Sequence, residues 1–281
     1  MHNGKKNTVI RPGQLGCYAA LFILALLMLY PMIFMLITSV KSNPEYYSNF
    51  WGIAKEWHFE YYFQAWDYLK SSYINSIMIC LIGVPSLLVL GSVSAYAFAR
   101  LRFPFKNLLY YLILIMMMIP SMLTLISSYI LTARLGILNT YGAVSFMNIA
   151  NGLPFVVLVM RNFFAGLPEE LFEAARMDGA RETRIFFQMA LPLSKPIMVT
   201  VFVMRLLNDW NDYMWPALTL SEPKLWPVSV SIKAYKASFD LLPQYGPLYA
   251  GFTIVVIPLL IFFFFSMRYF MEGMTAGAIK G

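Results

Sequence analysis

The stretch SSYINSIMICLIGVPSLLVLGSVSAYAFA, residues 71–99, contains no Asp, Glu, Lys or Arg. A helix needs about 20 mostly apolar residues to cross the hydrocarbon core of a bilayer, so this stretch predicts a transmembrane helix. Further charge-free gaps lie between positions 11 and 41, 106 and 134, 134 and 161, and 240 and 268. A sixth apolar stretch, residues 193–220, is interrupted by Lys195, Arg205, Asp209 and Asp212. The sequence therefore predicts an all-α integral membrane protein with about six transmembrane helices.

The overall composition excludes several classes of protein. Hydrophobic residues make up 59% of the 281 residues and charged residues only 12%, against roughly 25% in a soluble domain. The net charge of +7 is explained by basic loops on one side of a membrane and does not require nucleic acid. The two histidines, His2 and His58, do not suffice for a histidine-based metal site. No Gly-x-x-x-x-Gly-Lys-Ser/Thr phosphate loop occurs, so we predict no cofactor, metal or catalytic residue in this chain.

The placement of Lys and Arg predicts the orientation in the membrane. The N-terminal tail carries Lys5, Lys6 and Arg11 without an acidic residue, and residues 100–106 repeat that pattern. Cytoplasmic loops retain positive charge, so both termini are predicted to be cytoplasmic. Residues 40–72, 132–140 and 217–245 are then external, and residues 98–107 and 161–195 are internal. The first span is too long for a signal peptide, and Cys17 and Cys80 lie in predicted helices, so no disulfide is implied.

The chain is predicted to divide at about residue 70. Residues 1–70 hold the N-terminal tail, the first helix and an external segment, and residues 71–281 hold the other five helices. The external segment is rich in aromatic residues, such as Trp51, Trp57 and Trp66. These aromatic residues fit either an interfacial belt or a small cap that contacts a partner.

Residues 161–195 form the most highly charged loop, with five basic and five acidic residues. Pro168 suits the first position of a helix, and the following glutamates complement the positive end of the helix dipole. Asp178-Gly179 is expected to end that helix. A second helix is predicted from about Arg181 to Ala190, with Ile185, Phe186 and Met189 buried, before Pro192 and Pro196 end it.

The spacing within this loop matches a known motif. Glu173-Ala174-Ala175 stands six positions before Gly179 and eighteen before Leu191-Pro192. It resembles the EAA loop of binding-protein-dependent ABC importer permeases. The family has Ile where Met189 stands, a substitution that nearly conserves volume.

In that family the loop, here residues 166–196, is a cytoplasmic coupling helix that fits into a groove of the ATP-binding subunit. The resemblance implies that eight residues take part in this contact: Glu173, Ala174, Ala175, Asp178, Gly179, Met189, Leu191 and Pro192. Glu173 would offer a carboxylate to a basic group of the partner. The alternative for Glu173 is a local ion pair with Arg176, three residues later in the helix.

Two further segments are similar to carbohydrate-importer permeases of the maltose type, in particular to the shorter subunit. They are residues 210–216, WNDYMWP, and residues 269–281, YFMEGMTAGAIKG. The resemblance implies a second homologous permease, two ATP-binding subunits that hold ATP and Mg, and an external substrate-binding protein. It also implies that the tail, with Thr275, Gly277 and Lys280, contacts the ATP-binding subunits, and that the first helix is peripheral.

The polar stretch at residues 193–220, the fifth predicted span in chain order, allows two interpretations. Arg205 and Asp209 are four residues apart, as are Asn208 and Asp212, so one interpretation is a self-neutralised ion pair with helix packing. Ionisable residues at membrane depth usually face a cavity or a partner, so the other is a wall of the translocation path. In that case Asn208, Asn211 and Asp212 would contact sugar hydroxyls, and Trp210 or Tyr213 would pack on sugar rings.

Competing functions explain less of the sequence. Asp178-Gly179-Ala180-Arg181 resembles part of the motif of alcohol phosphatidyltransferases, but the later pair of aspartates that would hold metal is missing. A self-sufficient secondary transporter or channel would explain six helices but not the ordered loop. We therefore predict a non-enzymatic permease subunit of an ATP-driven sugar or oligosaccharide importer, in the bacterial or archaeal cell membrane.

Overall fold

The computed structural model describes the backbone of residues 12–278 and the side chains of residues 14–267. That part of the chain is helical, with no β-strand, which confirms the predicted all-α class. Its α-helices, in chain order, are α1 Pro12–Thr38, α2 Asn43–Ser48, α3 Glu60–Arg100, α4 Lys106–Met116, α5 Ser121–Arg134, α6 Tyr141–Ala165, α7 Glu169–Met177, α8 Glu182–Ile185, α9 Leu191–Leu193, α10 Lys195–Asn211, α11 Met214–Thr219, α12 Val228–Ala237 and α13 Tyr245–Ala278. A π-helical turn, Phe186–Ala190, joins α8 to α9, and a 3₁₀ turn, Pro223–Leu225, precedes α12.

Within the described residues, four helices are long and apolar enough to cross a membrane. They are Gln14–Thr38, Glu60–Arg100, Tyr141–Ala165 and Tyr245–Met267. Two broken helices also qualify when each is taken as one span. One joins α4 to α5 with a bend of 99°, and the other joins Glu182–Leu193 to α10 with a bend of 75°. Counted in this way the spans number six, as predicted.

The bend between α4 and α5 is a feature that charge spacing did not predict. The charge-free gap from position 106 to 134 suggested one uninterrupted helix, whereas α4 ends at Met116 and α5 begins at Ser121. Pro120 immediately precedes α5. Proline has no N–H and disfavours helical backbone in the residue before it, so it accounts for a break at this point.

The second loop helix ends three residues beyond the predicted Ala190, between the two prolines that were expected to end it. The helical run passes through Pro192 and ends at Leu193. The π-helical turn Phe186–Ala190 directly precedes this proline. A π-turn adds one residue to a helical turn and replaces the i→i−4 hydrogen bonds there. Because proline disrupts those same hydrogen bonds, the helix can continue through Pro192. Burial of Ile185 and Phe186 is confirmed, and Met189 is half-buried.

The chain forms two compact units. The first comprises residues 12–67 and 238–254 of the described chain. Lys41 is fully buried there, and its Nζ donates to the carbonyl oxygens of Asn49 at 2.6 Å and Phe50 at 3.2 Å. The Tyr245 N–H donates to Asn43 Oδ1 at 2.9 Å. These bonds fix the short α2 segment and the start of α13 within this unit.

The second unit comprises residues 68–237 and 255–278. Its main core is formed where α3, α6, the residue 169–190 segment and α10 meet, with Leu87, Val156, Phe172 and Val201 fully buried. The loop that carries the EAA-like motif therefore shares one core with three membrane spans.

Close packing of α3 on α6 depends on Gly91. A Cβ added at Gly91 would lie 2.4 Å from Val156 Cγ1, and Val156 is fully buried. We expect Gly91→Ala to destabilise the protein by about 1–3 kcal/mol because the core must be overpacked. Thermal unfolding of the purified protein measures this. Gly16→Ala is the matched control, since nothing lies within 4 Å of that position. Equal stability of the two variants would contradict the packing.

Candidate coupling surface and translocation cavity

The EAA-like segment is the helix α7, and both of its ends are explained by its sequence. Pro168 occupies the position just before the first helical residue, one place earlier than predicted, and Glu169 and Glu170 lie in the first turn. At the other end the N–H of Ala180 donates to Ala175 O and that of Gly179 to Arg176 O, each at 3.0 Å. This is a Schellman cap, and Gly179 adopts the positive φ of 75° that such a cap requires.

Helix α7 has one buried and one exposed face. Phe172 is fully buried in the main core, which contributes about 1.5–3 kcal/mol through the area removed from water. Glu173, Ala174 and Met177 are exposed, and Met177 is 88% exposed. These three positions are spaced i, i+1 and i+4, so they form an outward face. A large exposed methionine beside the small Ala174 suits a surface that a partner covers.

An ion-pair network holds α7 to the end of α3. Arg100 pairs with Glu169, and its Nη2 donates to the carbonyl oxygens of Phe164 and Leu167, each at 2.6 Å. Its guanidinium carbon also lies 4.0 Å from the centroid of the Phe172 ring. The Arg100 side chain is only 5% exposed. Arg100 therefore ties the end of α3 to α7 and to the end of α6.

The same network reaches the second helix of the loop. Arg176 Nε donates to Glu182 Oε1 at 2.9 Å, and Tyr96 Oη donates to Glu182 Oε2 at 2.7 Å. Arg176 Nη1 also lies 3.3 Å from Glu169 Oε1. Hydrogen bonding to Glu182 raises the pKa of the Arg176 guanidinium above its usual range. Glu182 therefore links α3, α7 and α8 through its two carboxylate oxygens.

Glu173 itself lies outside this network. Arg176 pairs with Glu169 and Glu182, and among the described side chains Glu173 forms no ion pair and no hydrogen bond. The local pair between Glu173 and Arg176, one of the two predicted alternatives, is therefore not formed. The carboxylate of Glu173 is free to meet a partner.

The structure separates the other predicted coupling residues into two groups. Ala175, Met189 and Leu191 are half-buried and pack against the main core. Asp178, Gly179 and Pro192 are exposed. In the tail, Thr275 and Gly277 belong to the helical backbone of α13, and Lys280 lies outside the described residues.

A cavity of about 350 Å³ lies in the second unit, between α5, α6, α10 and α11. Nine polar residues of the described chain line it, from α5, α6, α10 and the link between α10 and α11. They are Ser121, Thr124, Ser128, Asn148, Asn151, Arg205, Asn208, Asp209 and Asp212. Met122, Leu125, Met147, Met214 and Trp215 complete the lining. Polar groups at membrane depth are costly unless they serve a path or a partner, which makes this cavity the candidate translocation site.

A buried ion pair on α10 forms part of the cavity wall. Arg205 Nη2 lies 2.9 Å from Asp209 Oδ1, and the two side chains are 11% and 2% exposed. Arg205 Nη2 also donates to Asn148 O at 3.3 Å. Glycines on α3 and α6 leave space for this pair. A Cβ added at Gly152 of α6 would lie 2.9 Å from Arg205 Cζ, and a Cβ added at Gly83 of α3 would lie 3.3 Å from Asp209 Oδ2. The predicted ion pair is therefore present.

The cavity contains two of the five residues predicted for the translocation path. Asn208 and Asp212 line it. Trp210 is packed on the other side of α10, only 3% exposed, with its ring edge-on to Tyr73 at 5.5 Å. Asn211 is exposed and donates to Leu207 O, and Tyr213 lies 3.4 Å below the Nζ of Lys233. These three residues do not line the cavity.

Comparison with known proteins identifies the family of this chain. Residues 87–275 match the family model described as binding-protein-dependent transport system inner membrane component. The chain is 29% identical to the diacetylchitobiose uptake system permease protein NgcG of Streptomyces coelicolor, over 94% of this chain and 88% of that protein. It is 33% identical to the arabinooligosaccharides transport system permease protein AraQ of Halalkalibacterium halodurans, over 74% and 73%.

The fold is also that of a solved transporter. The chain aligns with a crystal structure of a bacterial ABC transporter involved in the import of the acidic polysaccharide alginate, with a TM-score of 0.79 at 22% identity, over 96% of this chain and 99% of that chain. The family match covers more than half of the chain and includes the EAA-like loop and the residues that line the cavity. This chain therefore belongs to the binding-protein-dependent transport system inner membrane components, as the multi-pass permease subunit of an ABC importer.

Proposed function

We propose that this permease forms half of the translocation pore of a carbohydrate importer. The observation that carries the proposal is the cavity, whose lining combines hydroxyl and amide groups with apolar side chains. Ligand pockets combine apolar walls with a few placed polar groups, and a saccharide offers hydroxyl groups and apolar ring faces to such a lining. The names of relatives such as the diacetylchitobiose and arabinooligosaccharide permeases agree with this class of solute.

The complete transporter is proposed to contain a second homologous permease, two ATP-binding subunits and an external substrate-binding protein. The ATP-binding subunits would carry ATP and Mg. Helix α7 would dock on one of them through Glu173, Ala174 and Met177, while Phe172 anchors it from behind. The Arg100–Glu169–Arg176–Glu182 network would then pass closure of the ATP-binding subunits to α3. The tail residues Thr275, Gly277 and Lys280 would add a second contact.

Orientation in the membrane is part of the same proposal. With both termini cytoplasmic, Arg102 faces the cytoplasm and Lys55 the outside, as the distribution of basic residues indicates. Single cysteines at these two positions, in a variant without Cys17 and Cys80, are labelled in intact cells or spheroplasts with an impermeant maleimide. We expect reaction at position 55 and none at 102 until the membrane is permeabilised. The reverse pattern would mean an inverted topology.

The class of solute is tested with the purified complex and its binding protein in nanodiscs. We expect an uncharged oligosaccharide, such as diacetylchitobiose or arabinotriose, to stimulate ATP hydrolysis, and amino acids and peptides to have no effect. Thermal shift of the binding protein alone identifies which saccharide to use. Stimulation by amino acids or peptides and not by any saccharide would overturn the proposed class.

A further inference from the structure

The side chains that line the cavity carry a formal net charge of −1, from two carboxylates and one guanidinium. Among its lining residues, all within the described chain, Arg205, Asp209 and Asp212 are the charged ones. Arg205 is paired with Asp209 at 2.9 Å. Asp212 forms no ion pair among the described residues; its Oδ1 accepts a long bond of 3.4 Å from the Trp215 N–H, and the Asn148 amide and the Arg205 guanidinium also interact with its carboxylate. One negative charge therefore remains.

No other charged side chain of the described residues lines the cavity. The next cation along the wall, Lys233, lies over the Tyr213 ring at 3.4 Å and does not line the cavity. The remaining polar lining is uncharged. A cleft with low-dielectric walls focuses the field of its net charge, which concentrates counter-ions and repels ions of the same sign.

We propose that this cavity is a charge filter in which Asp212 admits uncharged saccharides and rejects sugar acids and sugar phosphates. The proposal deepens the carbohydrate function above and rests on it for the nature of the solute. The solved transporter that shares this fold imports an acidic polysaccharide. The fold alone therefore does not set the charge of the solute, and lining residues such as Asp212 do.

The test measures the charge of the cavity without any sugar. Asn151, which is exposed and lines the cavity, is replaced by Cys in a variant lacking Cys17 and Cys80. The thiol in the purified complex reacts with a cationic and an anionic methanethiosulfonate, and the ratio of the two rates is compared with that of a free thiol. We expect a ratio about tenfold higher in the cavity, since one-signed clefts enrich counter-ions by about 10-fold or more.

Variants assign that ratio to Asp212. Asp212→Asn is expected to return the ratio to about that of a free thiol, and Asn208→Asp to raise it further. Asp212→Glu keeps the charge and should keep the ratio, while Asp240→Asn, at an exposed carboxylate that does not line the cavity, is the matched control. If the ratio of the two rates stays the same in Asp212→Asn and in Asn208→Asp, the charge filter is overturned. It is also overturned if the thiol at position 151 reacts with neither methanethiosulfonate. Failure of every saccharide to stimulate ATP hydrolysis would instead overturn the carbohydrate function, whatever the ratio.

Discussion

Glu173→Lys is expected to abolish substrate-stimulated ATP hydrolysis and uptake and to weaken assembly with the ATP-binding subunits. Glu173 is exposed on α7 and unpaired among the described side chains, so its carboxylate is available to a basic group in the groove of the partner. Breaking such a pair once it is buried costs about 3–5 kcal/mol, because the remaining charge is left without a partner. A charge reversal adds repulsion to that loss.

The matched control is Glu56→Lys, which makes the same change of charge at an exposed site on the first unit. We expect it to leave both activities within about twofold, as exposed charges contribute little. Changing the basic residue of the partner groove to Glu should partly restore Glu173→Lys. Normal uptake and normal stimulated hydrolysis in the Glu173→Lys complex would show that Glu173 is only a surface residue.

Glu182→Ala should uncouple the transporter, so that ATP hydrolysis continues at its basal rate while uptake falls by about tenfold or more. Glu182 accepts hydrogen bonds from Tyr96 Oη at 2.7 Å and Arg176 Nε at 2.9 Å. Hydrogen bonds that involve a charged group contribute about 1.5–3 kcal/mol each. A loss of about 1.4 kcal/mol already changes an equilibrium tenfold, so removing both bonds releases α8 from α3 and α7.

Thr183→Ala is the control for this prediction, since Thr183 is the exposed neighbour of Glu182 in α8. Glu182→Gln keeps an acceptor for Tyr96 but loses the charge opposite Arg176, so we expect an intermediate loss. The ratio of solute transported to ATP hydrolysed, measured in proteoliposomes, reports uncoupling directly. An unchanged ratio in Glu182→Ala would mean that the network only stabilises the loop.

The side of the cavity wall that α10 and its C-terminal end form could be predicted from sequence. Positions 205, 208, 209 and 212 follow the i, i+3, i+4, i+7 pattern and so share one face of a helix. That pattern places Arg205, Asn208, Asp209 and Asp212 together, as the structure does. The same geometry puts Trp210 on another face, so its prediction as a sugar-stacking residue ignored the helical period.

Other parts of the site needed the structure. Asn148 and Asn151 on α6 and the hydroxyls of α5 line the cavity, but a search for charged residues passes over them. The three-residue spacing of Asn148 and Asn151 on an otherwise apolar span was the sequence feature that could have indicated a polar face there. The bend at Pro120 was also readable, because proline is a helix breaker. The π-turn before Pro192 was not, since it depends on how Phe186 and Ala190 pack in the core.

The most direct test of the whole account is the energy source for uptake. Proteoliposomes that contain the complete complex are loaded with ATP and Mg and given binding protein and a radiolabelled saccharide outside, with diacetylchitobiose and arabinotriose as the first probes. The account predicts accumulation that requires hydrolysable ATP, the binding protein and an intact Glu173. Accumulation driven by an ion gradient without ATP, and unaffected by Glu173→Lys, would indicate a secondary transporter and contradict it.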